Sequence, residues 1–196
     1  MPRERVKTDL LVLSVDAMPL QPWKNGGGFS RELAAGDGWR ISLADVERDG
    51  PFSVYEGVTR HSVVVSGAGL RLRERDETVG LLPFVPAIYD GGRAWQATLL
   101  GGRAQVLNVM VDAARWSVRM PVGLAIDDRE EFSACLVLPV GCECRCSVTR
   151  TKPVTVRRGQ YLCHAPEQPG SGISAHAAPG SAEVPAGVVL VALRTP

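Results

Sequence analysis

Three arginines, Arg31, Arg40 and Arg60, stand beside tight turns or inside alternating strand-like runs. A guanidinium is a planar fork of donors that pairs bidentately with a carboxylate. Two or more of them converging on a hollow would therefore suit a small acidic ligand. Nearby residues extend that chemistry: Trp23 supplies a flat apolar wall, and Asn25 both a donor and an acceptor. His61 adds a ring able to exchange a proton near neutral pH. In "WRISLADV" (Trp39 to Val46), Arg40 and Ser42 share one face while Ile41 and Leu43 share the other. The plain alternatives are solvated strand edges for the arginines and a satisfied rim position for His61.

Other chemistries find less support. The stretch "QPWKNGGGFSREL" (Gln21 to Leu33) carries three consecutive glycines, yet no Gly-Lys-Ser or Gly-Lys-Thr follows them and no GxGxxG is present. Gly26, Gly27 and Gly28 form either a tight turn between strands or a turn that also lines a pocket. "GCECRC" places Cys142, Cys144 and Cys146 on one strand face. Successive side chains there are spaced about 6.6 to 7 Å apart, too far for a shared zinc; a row of small buried side chains is expected. His164 and His176 belong to no HxH or HExxH pattern, and no GxSxG elbow exists. No catalytic residue, metal set or cofactor site is identified.

The elements that must position these residues are short strands. Twenty-one glycines and 14 prolines punctuate apolar runs with little helical period. "HSVVVSGAGLRLRERD" reads as strand, glycine turn and alternating strand, and "ATLLGGRAQVLNVMV" repeats that logic. "VVVSGAGLRLRERD" also matches "LVLPVGCECRCSVTR" when Gly69 is set on Gly141, an offset near 72 residues. Two related all-β units follow, with Ala114 to Ala134 as the crossover and Asp127 to Glu131 as a helical turn or charged loop. The C-terminal "AGVVLVALR" is expected to close the second unit or cross back to the first.

With 22 basic against 21 acidic residues, the formal net charge is +1, which gives no electrostatic reason to expect nucleic acid or a membrane surface as partner. The early apolar run from Leu10 to Val15 is too short for a signal-peptide core, and no window approaches a membrane span. A cytoplasmic, reduced compartment and a monomer or homodimer are expected.

"WKNGGGFSREL", "WRISLADVERDGPFSVYEGVTR" and "LNVMV" together resemble the HutD/Ves family of cupin-like bacterial proteins, on the HutD (histidine utilisation) side. The resemblance is strongest from Trp23 to Gly69 and returns at "GGRAQVLNVM". It implies a bicupin of RmlC-like jelly-roll type, two tandem antiparallel β barrels over residues 1–111 and 112–196. The family motif falls on Trp23, Asn25, Gly26, Gly27, Gly28 and Arg31, then on Trp39, Arg40, Ser42, Asp49, Gly50, Pro51, Phe52 and Ser53, and then on Gly57, Arg60, Asn108 and Met110. With His61, these supply a ligand-binding set of Trp23, Asn25, Gly27, Gly28, Arg31, Arg40, Ser42, Arg60, His61, Asn108 and Met110. Val106 stands where the family often has an aspartate. The paired histidines and glutamate of metal-bearing cupins are missing after Gly57. The implied function is binding of a small carboxylate metabolite such as urocanate or formylglutamate, as a sensor or regulator in histidine degradation. An enzyme acting on a small acidic metabolite and a structural or interaction module are the alternatives.

Overall fold

The computed structural model describes residues 10–23, 25–149, 151–166, 170–178 and 186–195. Among them there is no α-helix, only one 3-10 turn at Val15–Ala17. No helix among the described residues is long and apolar enough to cross a membrane. The chain divides into two compact units: residues 18–116, and the described residues before Met18 together with those from Ser117 onward.

The first strand, β1 (Leu11–Ser14), belongs to the second of these units. The unit 18–116 holds β2 (Leu20–Pro22), β3 (Gly28–Gly36), β4 (Trp39–Val46), β5 (Gly50–Pro51), β6 (Val58–Ser66), β7 (Leu70–Glu74), β8 (Glu77–Leu81), β9 (Ala87–Asp90), β10 (Gln96–Leu99) and β11 (Ala104–Asp112). They form a six-stranded sheet in the order β2-β3-β4-β11-β6-β9 and a four-stranded sheet in the order β5-β10-β7-β8. Alternation along β6 and β11 sends Val64 and Val106 into the space between the sheets. There they join Phe52, Leu70, Leu72, Leu81 and Trp95 in one apolar core. The same parity carries Arg60 and Asn108 to that inner face.

The second unit holds β12 (Ser117–Arg119), β13 (Val122–Gly123), β14 (Ala125–Phe132), β15 (Ala134–Val140), β16 (Cys144–Val148), β17 (Val154–Val156), β18 (Gln160–His164), β19 (Gly170–Ala177) and β20 (Gly187–Arg194). Its larger sheet runs β1-β18-β15-β20-β12 with β13 beside β20, and its smaller one runs β14-β19-β16-β17. Four strands of each larger sheet and all four of each smaller one share one order. The path β9-β6-β11-β4 is matched by β18-β15-β20-β12, and β5-β10-β7-β8 by β14-β19-β16-β17. The turns aligned from sequence, at Gly69 and Gly141, occupy equivalent links between the two sheets of each unit, both with positive φ (102° and 65°).

Four sequence expectations change. No sheet closes into a barrel among the described residues: the edge strand β5 is two residues long and pairs only with β10. The boundary set at Val111 and Asp112 moves to Trp116, whose ring stands edge-on to Trp39, 6.3 Å away. Strand β1, assigned to the first unit, pairs Leu11 with Cys163 in the second. Asp127 to Glu131 lies within β14, with a register shift between Asp128 and Glu131 in place of a helical turn. Strand β20 lies inside the larger sheet of the second unit, between β15 and β12.

Candidate functional site

Register lays the inner face of the larger first-unit sheet out in rows. Arg40, Met110 and Arg60 are paired across β4, β11 and β6; Ser42, Asn108 and Ser62 form the next row, and Ala44, Val106 and Val64 the third. Polarity therefore falls in steps of two residues, from guanidinium through hydroxyl and amide to methyl groups that merge with the core. Over the first two rows, and reaching Ala44 of the third, lies a cavity of about 590 Å³, a volume usual for a small-molecule site. Gln21, Pro22, Trp23 and Asn25 line one side of it, and Pro51 to Tyr55 another.

Arg60 is the centre of this arrangement. The residue is only 4% exposed. Its Nη2 donates to Ser53 O at 3.0 Å, and the guanidinium carbon lies 5.5 Å from the Phe52 ring centre and 5.2 Å from that of Tyr55. Aromatic faces and one carbonyl temper the cost of burying the charge. They do not neutralise it, however. Among the described residues Arg60 has no carboxylate partner, and its buried Nε has no hydrogen-bond partner. Arg40, by contrast, is half-exposed and has Glu32 Oε2 3.0 Å from its Nε, near enough to be an ion pair without hydrogen-bond alignment.

Below the arginine row, Ser62 Oγ donates to Asn108 Oδ1 at 2.7 Å and lies 3.0 Å from the Tyr89 hydroxyl. All three side chains are buried.

The glycine loop builds the rim. Asn25 Oδ1 accepts from Gly27 N at 2.9 Å, and Asn25 Nδ2 donates to Pro51 O at 3.0 Å. The side chain thus ties the loop to β5, with its polar atoms committed to backbone. Gly26 takes φ +65°, and its carbonyl accepts from Arg48 Nη2. Gly28 sits against β4 so closely that a Cβ would lie 2.0 Å from Asp45 O. Trp23 N donates to Gly28 O at 2.9 Å, and its ring meets Phe52 edge-on at 6.0 Å.

Of the residues expected from sequence, Trp23, Asn25, Arg40, Ser42, Arg60, Asn108 and Met110 line the one cavity. Gly27 and Gly28 shape its rim through backbone geometry without lining it. Arg31 and His61 do not reach it. Arg31 pairs in register with Leu43 and His61 with Val109, so both face the opposite side of the sheet. Arg31 comes within 4.0 Å of Asp45 there. Burial lowers the pKa of His61 below 6.5. Ser30 lines the cavity in place of its neighbour Arg31. Sequence reasoning also passed over Gln21, Pro22, Val54, Tyr55 and the Ser62–Tyr89 pair. Pro51, Phe52 and Ser53 stood in the motif without being assigned to the ligand.

Two features of the second unit differ from this site. A hollow of about 230 Å³ lies beside Asp127, Thr149 and Ser174. The buried carboxylate there, Asp128, is already matched by Arg119 Nη1 and Arg194 Nη2, each at 3.3 Å. The cysteine row is buried as expected, but the sulfurs of Cys144 and Cys146 lie 3.5 Å apart, not about 7 Å. The strand fixes the Cα spacing, and rotamers leaning toward each other close the remainder.

Residues 15–178 match the model of the HutD family. The chain is 35% identical over 121 residues to an uncharacterized 21.2 kDa protein in the hutC 3' region of Pseudomonas putida, covering 58% of this chain and 64% of the relative. It is 31% identical over 113 residues to protein Ves of Citrobacter koseri, covering 54% and 59%. The match thus spans less than two thirds of either relative's length. Among solved structures, HutD from Pseudomonas fluorescens SBW25, in a formate condition, superposes with a TM-score of 0.79 at 23% identity, covering 96% of this chain and 100% of that one. A cupin 2 conserved barrel domain protein from Leptotrichia buccalis gives 0.56 at 11% identity, covering 97% and 99%. The fold of the chain is all-β with cupin-like neighbours.

Proposed function

The chain belongs to the HutD family, and from that premise and the cavity's geometry we propose that it is a bicupin that binds a small carboxylate metabolite. The observation that carries this reading is Arg60: a residue only 4% exposed, lining a cavity, without a counter-ion among the described residues. A buried charge left unpaired is costly, and a ligand carboxylate is the group that would offset it. Arg40 supplies a second positive group one strand beyond Met110, roughly 10 Å away between backbones. Trp23, Phe52 and Met110 supply apolar walls for a short carbon skeleton.

The hutC neighbourhood of the P. putida relative supports histidine degradation as the setting, with urocanate and formylglutamate as the leading ligands and sensing or regulation as the role. A binding role also agrees with the placement of His61, which is turned away from the cavity and so is no proton exchanger for a bound molecule.

Calorimetric titration with urocanate, formylglutamate, histidine and glutamate tests the reading. At least one should bind. Arg60→Ala should weaken that binding by about 1.5 to 3 kcal/mol, the range for a hydrogen bond to a charged group. Arg60→Lys should recover only part of the loss, because an ammonium lacks the planar fork. Circular dichroism should report an intact fold in both variants. No binding by any of the four to folded protein would sink the histidine-pathway version. Unaltered affinity in folded Arg60→Ala would remove Arg60 from the site.

A further inference from the structure

The chain Tyr89–Ser62–Asn108 beneath the cavity has a direction that hydrogen-bond counting settles. Ser62 has one proton, and with Oγ 2.7 Å from Asn108 Oδ1 that proton is donated to the amide oxygen. Ser62 Oγ then accepts from the Tyr89 hydroxyl at 3.0 Å. In the reverse arrangement, Asn108 Nδ2 would donate to Ser62. Either the Ser62 or the Tyr89 hydroxyl proton would then be left buried with no acceptor among the described residues, a cost the observed direction avoids. With Oδ1 held from below, Nδ2 is the branch of the amide left to the cavity that Asn108 lines, and it makes no hydrogen bond among the described residues.

We propose that Ser62 and Tyr89 are positioning residues that hold Asn108 as a hydrogen-bond donor toward the cavity, so that the site selects carboxylates bearing a second, acceptor oxygen. The proposal rests on the carboxylate reading above and adds to it the chemistry of the ligand's other end. Asn108 lies one row deeper than Arg60, about 6.6 to 7 Å along the strands. That separation suits a carboxylate and a carbonyl oxygen joined by a short aliphatic spacer. A ligand with a methylene at the deep end would leave Nδ2 dry and unpaired; one with a carbonyl satisfies it.

Two probes isolate this feature. Hexanoate and 5-oxohexanoate share a carboxylate and chain length and differ by one carbonyl. In calorimetric titrations the wild-type protein should prefer 5-oxohexanoate by about tenfold. In Ser62→Ala, with the amide free to turn, the preference should fall to about threefold or less while hexanoate affinity changes less than twofold. Tyr89→Phe, which keeps the ring and removes only the hydroxyl, should move the preference the same way by a smaller factor. Asn108→Asp preserves shape and replaces the donor with an acceptor, so hexanoate should become the better ligand of the pair.

A merely structural role for Ser62 would weaken both probes together, and that result would overturn the assignment. Equal binding of the two by wild-type protein, or a preference that persists in Asn108→Asp, would overturn it as well and leave the carboxylate reading standing. Binding of neither probe nor any other carboxylate would overturn both readings. Independently of any ligand, an atomic-resolution crystal structure of the free protein should show Oδ1 of Asn108 on Ser62. The opposite amide orientation would remove the proposal.

Discussion

Arg60 and His61 are consecutive residues of β6 and face opposite sides of one sheet. One is a cation on a residue only 4% exposed; the other is a ring whose burial favours its neutral form. For His61 the pH dependence follows from that sign. Above pH 6.5 the ring is neutral in both folded and unfolded chains and makes no contribution. As pH falls below 6.5 the unfolded chain takes up the proton first, so stability is lost until the lower native pKa is passed. His61→Gln should therefore show a flatter decline in urea-denaturation stability between about pH 7 and pH 5 than wild type, by at most one proton's worth of slope. Equal slopes in the two proteins would mean that His61 is not the group responsible. At this scale, strand parity was legible where a run alternates cleanly, as at Arg40 and Ser42. It was not legible at Arg31 or His61. "FSREL" puts polar residues on both faces, and a register shift between Glu32 and Ala34 interrupts the pairing of β3 with β4. His61 is followed by a continuous apolar run in which Val63, Val64 and Val65 are all buried, so composition alone does not say which parity faces the cavity.

The elements around the site depend on how closely backbones approach. Gly28 begins β3 where the neighbouring β4 carbonyl of Asp45 leaves no room for a methyl group. Gly28→Ala should cost about 1 to 3 kcal/mol, as overpacking does, because a rigid backbone atom must move. Gly80, in β8, makes the comparison: a Cβ there meets nothing within 4 Å and the residue needs no positive φ, so Gly80→Ala should be neutral or stabilising by up to about 1 kcal/mol. Chemical denaturation of both variants checks the pair, and equal effects would show that the approach of Gly28 to Asp45 is not limiting. The glycine triplet was visible in the sequence as a demand on the backbone. Which neighbour made the demand was not, since Asp45 is seventeen positions away. Strand β5 ends at Pro51, and Phe52 N bonds to Trp95 O, leaving Val54 and Tyr55 to turn over the cavity.

Across the whole molecule one strand order is used twice, and the 72-residue offset read from two hairpins was the trace of it. What sequence alone could not reveal was the destination of β1, because its partner strand lies some 150 residues further along, and an isolated apolar run carries no record of distant pairing. Val12 packs against the second unit's core. Val12→Asp should loosen that unit and speed alkylation of Cys163, which faces Leu11 in the β1–β18 ladder, by several-fold. An unchanged labelling rate would place β1 outside the cooperative structure.

The same division into units separates two kinds of side chain. All four tryptophans, at positions 23, 39, 95 and 116, lie in the unit 18–116, and all five cysteines lie after Ser117. Every one of those thiols is free and buried, and burial pushes that of Cys163 up to about 11, so native protein offers little reactive thiolate. Indole emission and thiol accessibility are consequently two signals with no shared residue: one optical and confined to the unit that holds the cavity, the other chemical and confined to its counterpart. A single denaturation series followed by both would read each half of the chain in the presence of the other, with no label added and no residue replaced.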